Sequence, residues 1–143
     1  ESIEHIGSTS VPGLGAKPII DIMVGIRSLA DAPECISRLE AIGYKYVPKH
    51  EALLPLRRYF HKGATRYART HHLHMVETTG EFWERHILFR DYLRANPETA
   101  REYYALKQAL AARFRSDRES YTDAKTSFIA AVIAHAREKQ SSL

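Results

Sequence analysis

Apolar positions change their period at Gly80. Before it they fall in short runs and alternations that predict strands; after it they recur at helical spacing. Ile3 to Ile6 predicts a short strand ending at Gly7, followed by a Gly/Pro/Ser/Thr-rich loop over Ser8 to Lys17. Ile19 to Ile26 is apolar except for Asp21, the pattern of a buried central strand. Ala30 to Ile42 predicts a helix stopped by Gly43, and Tyr44 to Val47 a short strand. Leu56 to His61 and Arg66 to Glu77 predict two strands joined across Lys62 to Thr65. Glu81 to Ala95 puts Phe82, Trp83, Ile87, Phe89 and Leu93 on a wide apolar face. Asn96-Pro97-Glu98 restarts a helix that runs to about Phe114 with Tyr103, Leu106 and Leu110 as its stripe. A last helix is expected from about Asp123, carrying Phe128, Ile129, Val132 and Ala136. Trp83, Tyr103, Tyr104 and Phe114 are expected in the core.

Strands first and helices after give an α+β class, a mixed sheet with the C-terminal helices packed on it. No repeat, low-complexity tract or long linker interrupts the 143 residues, so residues 1–143 read as one domain with 81–143 as its helical part. A strand already under way at Ser2 implies that a segment precedes Glu1. With 44% hydrophobic and 27% charged residues, the chain falls in the ordinary globular class and outside the disordered and collagen-like ones. Its apolar runs are too short for a membrane helix. A single cysteine, Cys35, excludes an internal disulfide and, with no secretory signal, suggests a reducing cytoplasm. The formal charge of +4 suits a small anionic or nucleotide-like ligand, whereas no nucleic-acid-binding motif is present.

Two constellations carry candidate chemistry. In the first, Gly7 ends a strand and allows close backbone approach, and Ser8 and Thr9 offer hydroxyls and amides suited to phosphate. Asp21 follows in an apolar strand, where a carboxylate is costly unless it is paired or holds a cation. These are parts of a metal–nucleotide site, with Lys17 placed to reach an anion; a plain turn with a structural acid reads the same residues equally well. In the second, His72 and His74 are two apart on a predicted strand and share a face, opposite to His71, Leu73, Met75 and Glu77. Two such imidazoles can ligate Zn²⁺, Mn²⁺ or Fe²⁺, hold phosphates when protonated, or simply bond to backbone. Arg58, Phe60 and Lys62 share a face of the preceding strand, and Lys125 falls on the apolar stripe of the last helix near its N-terminus, where a cation needs an anionic partner.

His5-Ile6-Gly7-Ser8-Thr9-Ser10-Val11-Pro12-Gly13-Leu14 and Ala16-Lys17-Pro18-Ile19-Ile20-Asp21-Ile22 resemble the signature of the GrpB family of bacterial proteins. The resemblance continues through Arg58-Tyr59-Phe60, His72-Leu73-His74, Leu88-Phe89-Arg90-Asp91-Tyr92-Leu93 and Tyr121-Thr122-Asp123-Ala124-Lys125. It implies a nucleotidyltransferase-like fold, with Gly7-Ser8 as the superfamily's turn and Asp21 as its first metal-binding acid. It also implies a preceding N-terminal helix, and some relatives are fused to a dephospho-coenzyme A kinase domain. The second acid position holds Met23, a poor ligand for Mg²⁺.

Two function classes follow. One is a transferase or hydrolase acting on a nucleotidyl or phosphoryl group. In it Asp21, His72 and His74 are catalytic and hold a divalent metal, Mg²⁺ or Mn²⁺ with Zn²⁺ as the softer choice. Gly7, Ser8, Thr9, Lys17, Arg58 and Lys125 then bind the nucleotide or its phosphates. The other is a catalytically silent nucleotide- or anion-binding module, the class that Met23 favours.

Overall fold

The computed structural model describes residues 1–143. Five strands and four α-helices follow in the order β1 (Ser2–Ile6), β2 (Ile20–Ile26), α1 (Ala32–Ala41), β3 (Lys45–Tyr46), β4 (Arg57–Gly63), β5 (Arg69–Glu77), α2 (Glu81–Ala95), α3 (Pro97–Arg113) and α4 (Arg118–Ser141). The strands form one mixed sheet in the order β1-β2-β5-β4-β3. β2 and β5 are parallel, and the other neighbours are antiparallel. The class is α+β, with strands and helices divided near Gly80 as their periods predict.

The residues form two compact units, one of 1–10 with 16–86 and one of 11–15 with 87–143. The division falls inside α2, between His86 and Ile87, so no linker composition marks it.

In the first unit, alternation along the strands sorts the sheet into an apolar and a polar face. Ile22 and Val24 of β2, Leu73 and Met75 of β5 and Phe60 of β4 lie on the apolar face. They pack with Ala32, Cys35, Ile36 and Leu39 from the α1 segment. α1 ends because Gly43 takes φ +94°, where a side chain would be strained. Its N–H donates to Glu40 O at 3.0 Å, and Tyr44 N–H to Leu39 O at 3.1 Å. This paired termination closes the last turn and drops Tyr44 beside Leu39 on the apolar face.

In the second unit, Val11, Leu93, Ala100 and Tyr103 are buried together, with Leu14, Phe89, Phe128 and Ile129 against them. The Tyr103 ring meets Phe89 edge-on at 5.2 Å and stacks on Phe128 at 5.6 Å. Tyr104, expected in the core, is 37% exposed: it follows Tyr103 by one helical position and so points about 100° away. Phe114 is half-buried rather than fully enclosed, as is Trp83 in the first unit. α4 starts at Arg118, five residues before the expected Asp123, because Asp117 caps it. The Asp117 carboxylate accepts from Ser120 N–H at 3.0 Å.

Candidate functional site

On the polar face, the register lines up side chains from neighbouring strands. Asp21 of β2 lies opposite His72 of β5, which lies opposite His61 of β4. In the next row, Met23, His74 and Tyr59 are neighbours in the same way, and Arg57 precedes Tyr59 by two residues on the same side of β4. Residues opposite each other across adjacent strands share a face, so the sheet brings Asp21, His72 and His74 together as their sequence parity requires.

Asp21 Oδ1 is 3.2 Å from His72 Nδ1 and 3.8 Å from His74 Nε2. Burial by itself would raise the Asp21 pKa. The hydrogen bonds from the two rings, with the positive charge they can carry, outweigh burial and hold it at about 2. Asp21 is therefore ionised across the physiological range.

The Gly-Ser turn sits directly beside this carboxylate. Gly7 has φ +72°, and a Cβ there would lie 2.6 Å from Asp21 Oδ2. The turn is closed by buried Ser10, whose N–H and Oγ–H both donate to Gly7 O, at 3.1 and 2.5 Å. Ser8 and Thr9 are half-buried in that turn, and Thr9 Oγ1 is bonded to His5 Nε2 at 2.8 Å. Lys17 is exposed in the loop before β2.

Arg57 links the second row. Its Nη1 donates to His74 Nδ1 at 3.1 Å and its Nη2 to His50 Nδ1 at 3.5 Å. The guanidinium lies 5.1 Å from the Tyr59 ring centre and 5.8 Å from that of Phe82. His50 stacks on Tyr59 at 4.6 Å, and His86 stacks on Phe82 at 4.0 Å. Arg69, at the start of β5, is near enough to act electrostatically on His50, Tyr59 and His61. His50, His61 and His74 are pushed below the ordinary imidazole pKa chiefly by burial; neighbouring positive charge adds to this at His50 and His61, while at His74 the Asp21 carboxylate opposes it without cancelling it. His86 is pushed down to about 4, mostly by burial, although its Nδ1–H donates to Phe82 O at 2.7 Å.

Four buried nitrogens in this cluster have no hydrogen-bond partner: Arg57 Nε, His61 Nδ1, Arg69 Nε and His72 Nε2. An unsatisfied buried polar atom costs about 1–3 kcal/mol. Arg57 Nε and Arg69 Nε can only donate, so an anion placed against them would relieve a standing cost, whereas His72 Nε2, with the ring proton on Nδ1, presents a lone pair.

The donor set also bears on a metal. Tetrahedral bonds of ~2.1 Å separate ligand atoms by about 3.4 Å, and the two approaches to Asp21 Oδ1, at 3.2 and 3.8 Å, bracket that spacing. The protons, however, are on the facing atoms. His72 Nδ1 donates to the carboxylate. Arg57 can only donate, so His74 Nδ1 accepts and the neutral His74 ring carries its proton on Nε2. Metal-bound histidines hold an acceptor behind the ring, not a guanidinium. As arranged, no three His, Cys, Asp or Glu side chains form a ready cation cradle.

The remaining sequence candidates fall elsewhere. Arg58 lies opposite Met75, on the strand side that carries Phe60 and Leu73, and donates to Pro55 O at 2.8 Å and pairs with Glu51 at 3.6 Å. The arginines of the polar cluster are Arg57 and Arg69. Lys125 is in α4 of the second unit, with its ammonium 5.5 Å from the Tyr121 ring centre. Glu77 accepts from Leu29 N–H at 2.9 Å and caps the turn that leads into α1. Met23 is fully buried, with 0% exposure, where the superfamily pattern has its second acid. Sequence reasoning did not single out Arg57, Tyr59, His61 and Arg69; the signal for the first three was present in the alternation of β4, where they oppose the side of Phe60.

The family profile described as GrpB protein matches residues 1–135. UPF0157 protein YqkA of Bacillus subtilis is 45% identical over 128 residues, covering 90% of this chain and 36% of that protein. Glutamate-rich protein GrpB of Alkalihalophilus pseudofirmus is 40% identical over 132 residues, covering 90% of this chain and 75% of that protein. A weaker match, at 31% identity over 146 residues, is to a protein named dephospho-CoA kinase from Mycolicibacterium paratuberculosis; it covers 86% of this chain and 35% of that protein. The chain thus spans about a third of the Bacillus subtilis relative and three quarters of the Alkalihalophilus one. Among solved structures, the crystal structure of conserved protein GrpB from Enterococcus faecalis superposes with a TM-score of 0.81 at 39% identity, over 97% of this chain and 81% of that one. No helix here is long and apolar enough to cross a membrane. Sheet, turn, histidine strand and profile agree, and the chain belongs to the GrpB family.

Proposed function

We propose that the polar face of the sheet binds a small phosphorylated, nucleotide-like ligand, and that the chain acts first as a binding module for it. The observation that carries this reading is the pair of buried, unpartnered donors Arg57 Nε and Arg69 Nε, both near enough to His50 and Tyr59 to act on them electrostatically. Arginine is suited to phosphate because its planar fork matches two oxygens at once. The turn at Gly7, Ser8 and Thr9, beside Asp21, is a second place for phosphate oxygens. A dephospho-CoA kinase among the matched proteins makes coenzyme A precursors the first nucleotides to try.

Buried Met23 favours binding over two-metal catalysis, since the second same-face acid that would bridge the ions is missing. A second reading, a metal-dependent nucleotidyl or phosphoryl transferase with Mg²⁺, Mn²⁺ or Zn²⁺ at Asp21, His72 and His74, is favoured by one observation, the ligand-like spacing around Asp21 Oδ1. It requires His74 to give up its bond from Arg57.

Calorimetric titration of phosphate, ATP, dephospho-coenzyme A and coenzyme A, with and without Mg²⁺ or Mn²⁺, tests both readings. Charge-assisted hydrogen bonds are worth about 1.5–3 kcal/mol. Arg57→Gln and Arg69→Gln are therefore each expected to weaken binding tenfold or more without any metal requirement. Unchanged affinity in both variants, with the fold intact by circular dichroism, would overturn the anion site. Binding seen only with metal would favour the second reading.

A further inference from the structure

We propose that His72 Nε2 is a nucleophile that accepts a phosphoryl group from the bound ligand, with Asp21 as its positioning residue; this rests on the anion-binding reading above. The partner of each ring decides which of its nitrogens carries a lone pair. His72 Nδ1–H donates to Asp21 Oδ1 at 3.2 Å, so the proton of the neutral ring is on Nδ1 and the in-plane pair is on Nε2. Nε2 is itself buried and has no hydrogen-bond partner, in a side chain that is 26% exposed as a whole. His74, two residues along, is wired in the opposite sense. Its Nδ1 pair is taken by Arg57, its Nε2 carries the proton, and its side chain is only 14% exposed. His50 Nδ1 likewise faces Arg57. His86 also has its proton on Nδ1, but the acceptor is a backbone carbonyl, with no carboxylate to stabilise a positive ring. Of these imidazoles, His72 alone combines an unpartnered pair with a carboxylate behind it, the base-and-orienter arrangement of activated nucleophiles.

The step balances without a metal or a redox partner. The Nε2 pair forms a P–N bond as the P–O bond to the leaving group breaks. The leaving oxygen departs with the P–O bonding pair and takes a proton from solvent. The ring becomes an N-phosphoimidazolium whose Nδ1–H still faces Asp21, so the carboxylate offsets the positive charge that has developed. Donors from β4 and the start of β5, with His61 directly opposite His72, are available for the phosphoryl oxygens. Attack on phosphorus by water or an acceptor hydroxyl then breaks the P–N bond, returns the pair to Nε2 and releases the attacking group's proton to solvent.

Phosphoramidate, a small phosphoryl donor that needs no nucleotide recognition, tests the proposal on the full chain. The expected product is one acid-labile, alkali-stable phosphohistidine, mapped by mass spectrometry to His72. His72→Gln should abolish it, and His135→Gln, an exposed control, should leave it unchanged. Asp21→Asn should slow labelling at least tenfold. In ¹⁵N NMR spectra the unmodified His72 should show the Nδ1–H tautomer, and Asp21→Asn should lose it while the backbone amide spectrum is retained. A purely structural aspartate would not produce that selective change. If His72→Gln fails to fold, the tautomer and the mapped site in the unmodified protein remain decisive. Labelling of His5, His71 or His135 as fast as His72, an Nε2–H tautomer at His72, or full labelling in folded Asp21→Asn would each overturn the proposal. Parallel phosphate titration separates the two readings. Phosphate binding without His72 labelling sinks the nucleophile alone, and absence of both sinks the anion site as well.

Discussion

Gly7→Ala should uncouple the turn from the carboxylate, and a matched substitution isolates the contact. Gly7 and Gly13 have nearly the same backbone, φ +72° and +76°. A left-handed conformation costs a residue with a Cβ roughly 1–2 kcal/mol, so both Ala variants should lose about that much. Gly13 has nothing within 4 Å of the added Cβ, and its cost should stop there. At Gly7 the added Cβ meets Asp21 Oδ2 at 2.6 Å and Asp21 Cβ and Cγ at 3.2 Å. The aspartate is short and bonded to His72, so it can yield only by turning away from the ring. Its carboxylate, with a pKa of about 2 against 3.8 without these surroundings, contributes on the order of 2 kcal/mol at neutral pH. That stability is complete above pH 3.8 and is lost as pH falls through about 2. Gly7→Ala is therefore expected to cost ~2–4 kcal/mol in urea denaturation, against ~1–2 for Gly13→Ala. The Asp21 carboxyl pKa, followed by ¹³C NMR, should move up towards 3.8 in the first variant only. Equal losses in the two variants together with an unmoved Asp21 pKa would refute the claim that Gly7 is glycine because the carboxylate lies against it.

Other expectations follow from buried groups on the same face. His86, with a pKa of about 4 against 6.5 in the open chain, stays neutral when folded while the unfolded chain takes up a proton. Stability should fall as pH drops from 6.5 towards 4, by on the order of 3 kcal/mol. Urea denaturation at pH 7.5 and 4.5 should show a markedly smaller drop for His86→Gln. Met23→Asp places a carboxylate at a fully enclosed position and should lower the melting temperature sharply, by several kcal/mol of stability. If the metal reading holds, Mg²⁺ should restore part of that loss, and calorimetry should show tighter Mg²⁺ binding than in the unmodified protein; thermal melts with and without the ion decide it.

Several features of the fold and site follow from local pattern. The division into strands and helices at Gly80 is a change of period, and the sharing of a face by His72 and His74 is the two-residue repeat of a strand. Asp21 stands out because a lone carboxylate in an apolar strand requires compensation, and Gly7 because it ends a strand just before hydroxyl-bearing residues. The asparagine-proline start of α3 is a property of a few neighbouring residues. These were legible because each is enforced within a few residues of chain.

Other features belonged to the tertiary structure. Alternation sorts β4 into Arg57, Tyr59 and His61 on one side and Arg58, Phe60 and Lys62 on the other, but it does not say which side is covered. Packing with the α1 segment decides it by drawing in Phe60, Leu73 and Met75, and so makes Arg57, not Arg58, the arginine beside the histidines. The order β1-β2-β5-β4-β3 puts Asp21 against His72 across 51 residues of sequence. The opposite tautomers of His72 and His74 cannot be read from their identical residue type. They are set by a carboxylate from β2 behind one ring and a guanidinium from β4 behind the other. The sequence by itself determined which residues had to share a strand, a face or a helix, because those are short-range consequences of backbone geometry. Only the tertiary structure decided which face met water, which charges met one another and where each proton sits, because those depend on neighbours that the chain brings together from a distance.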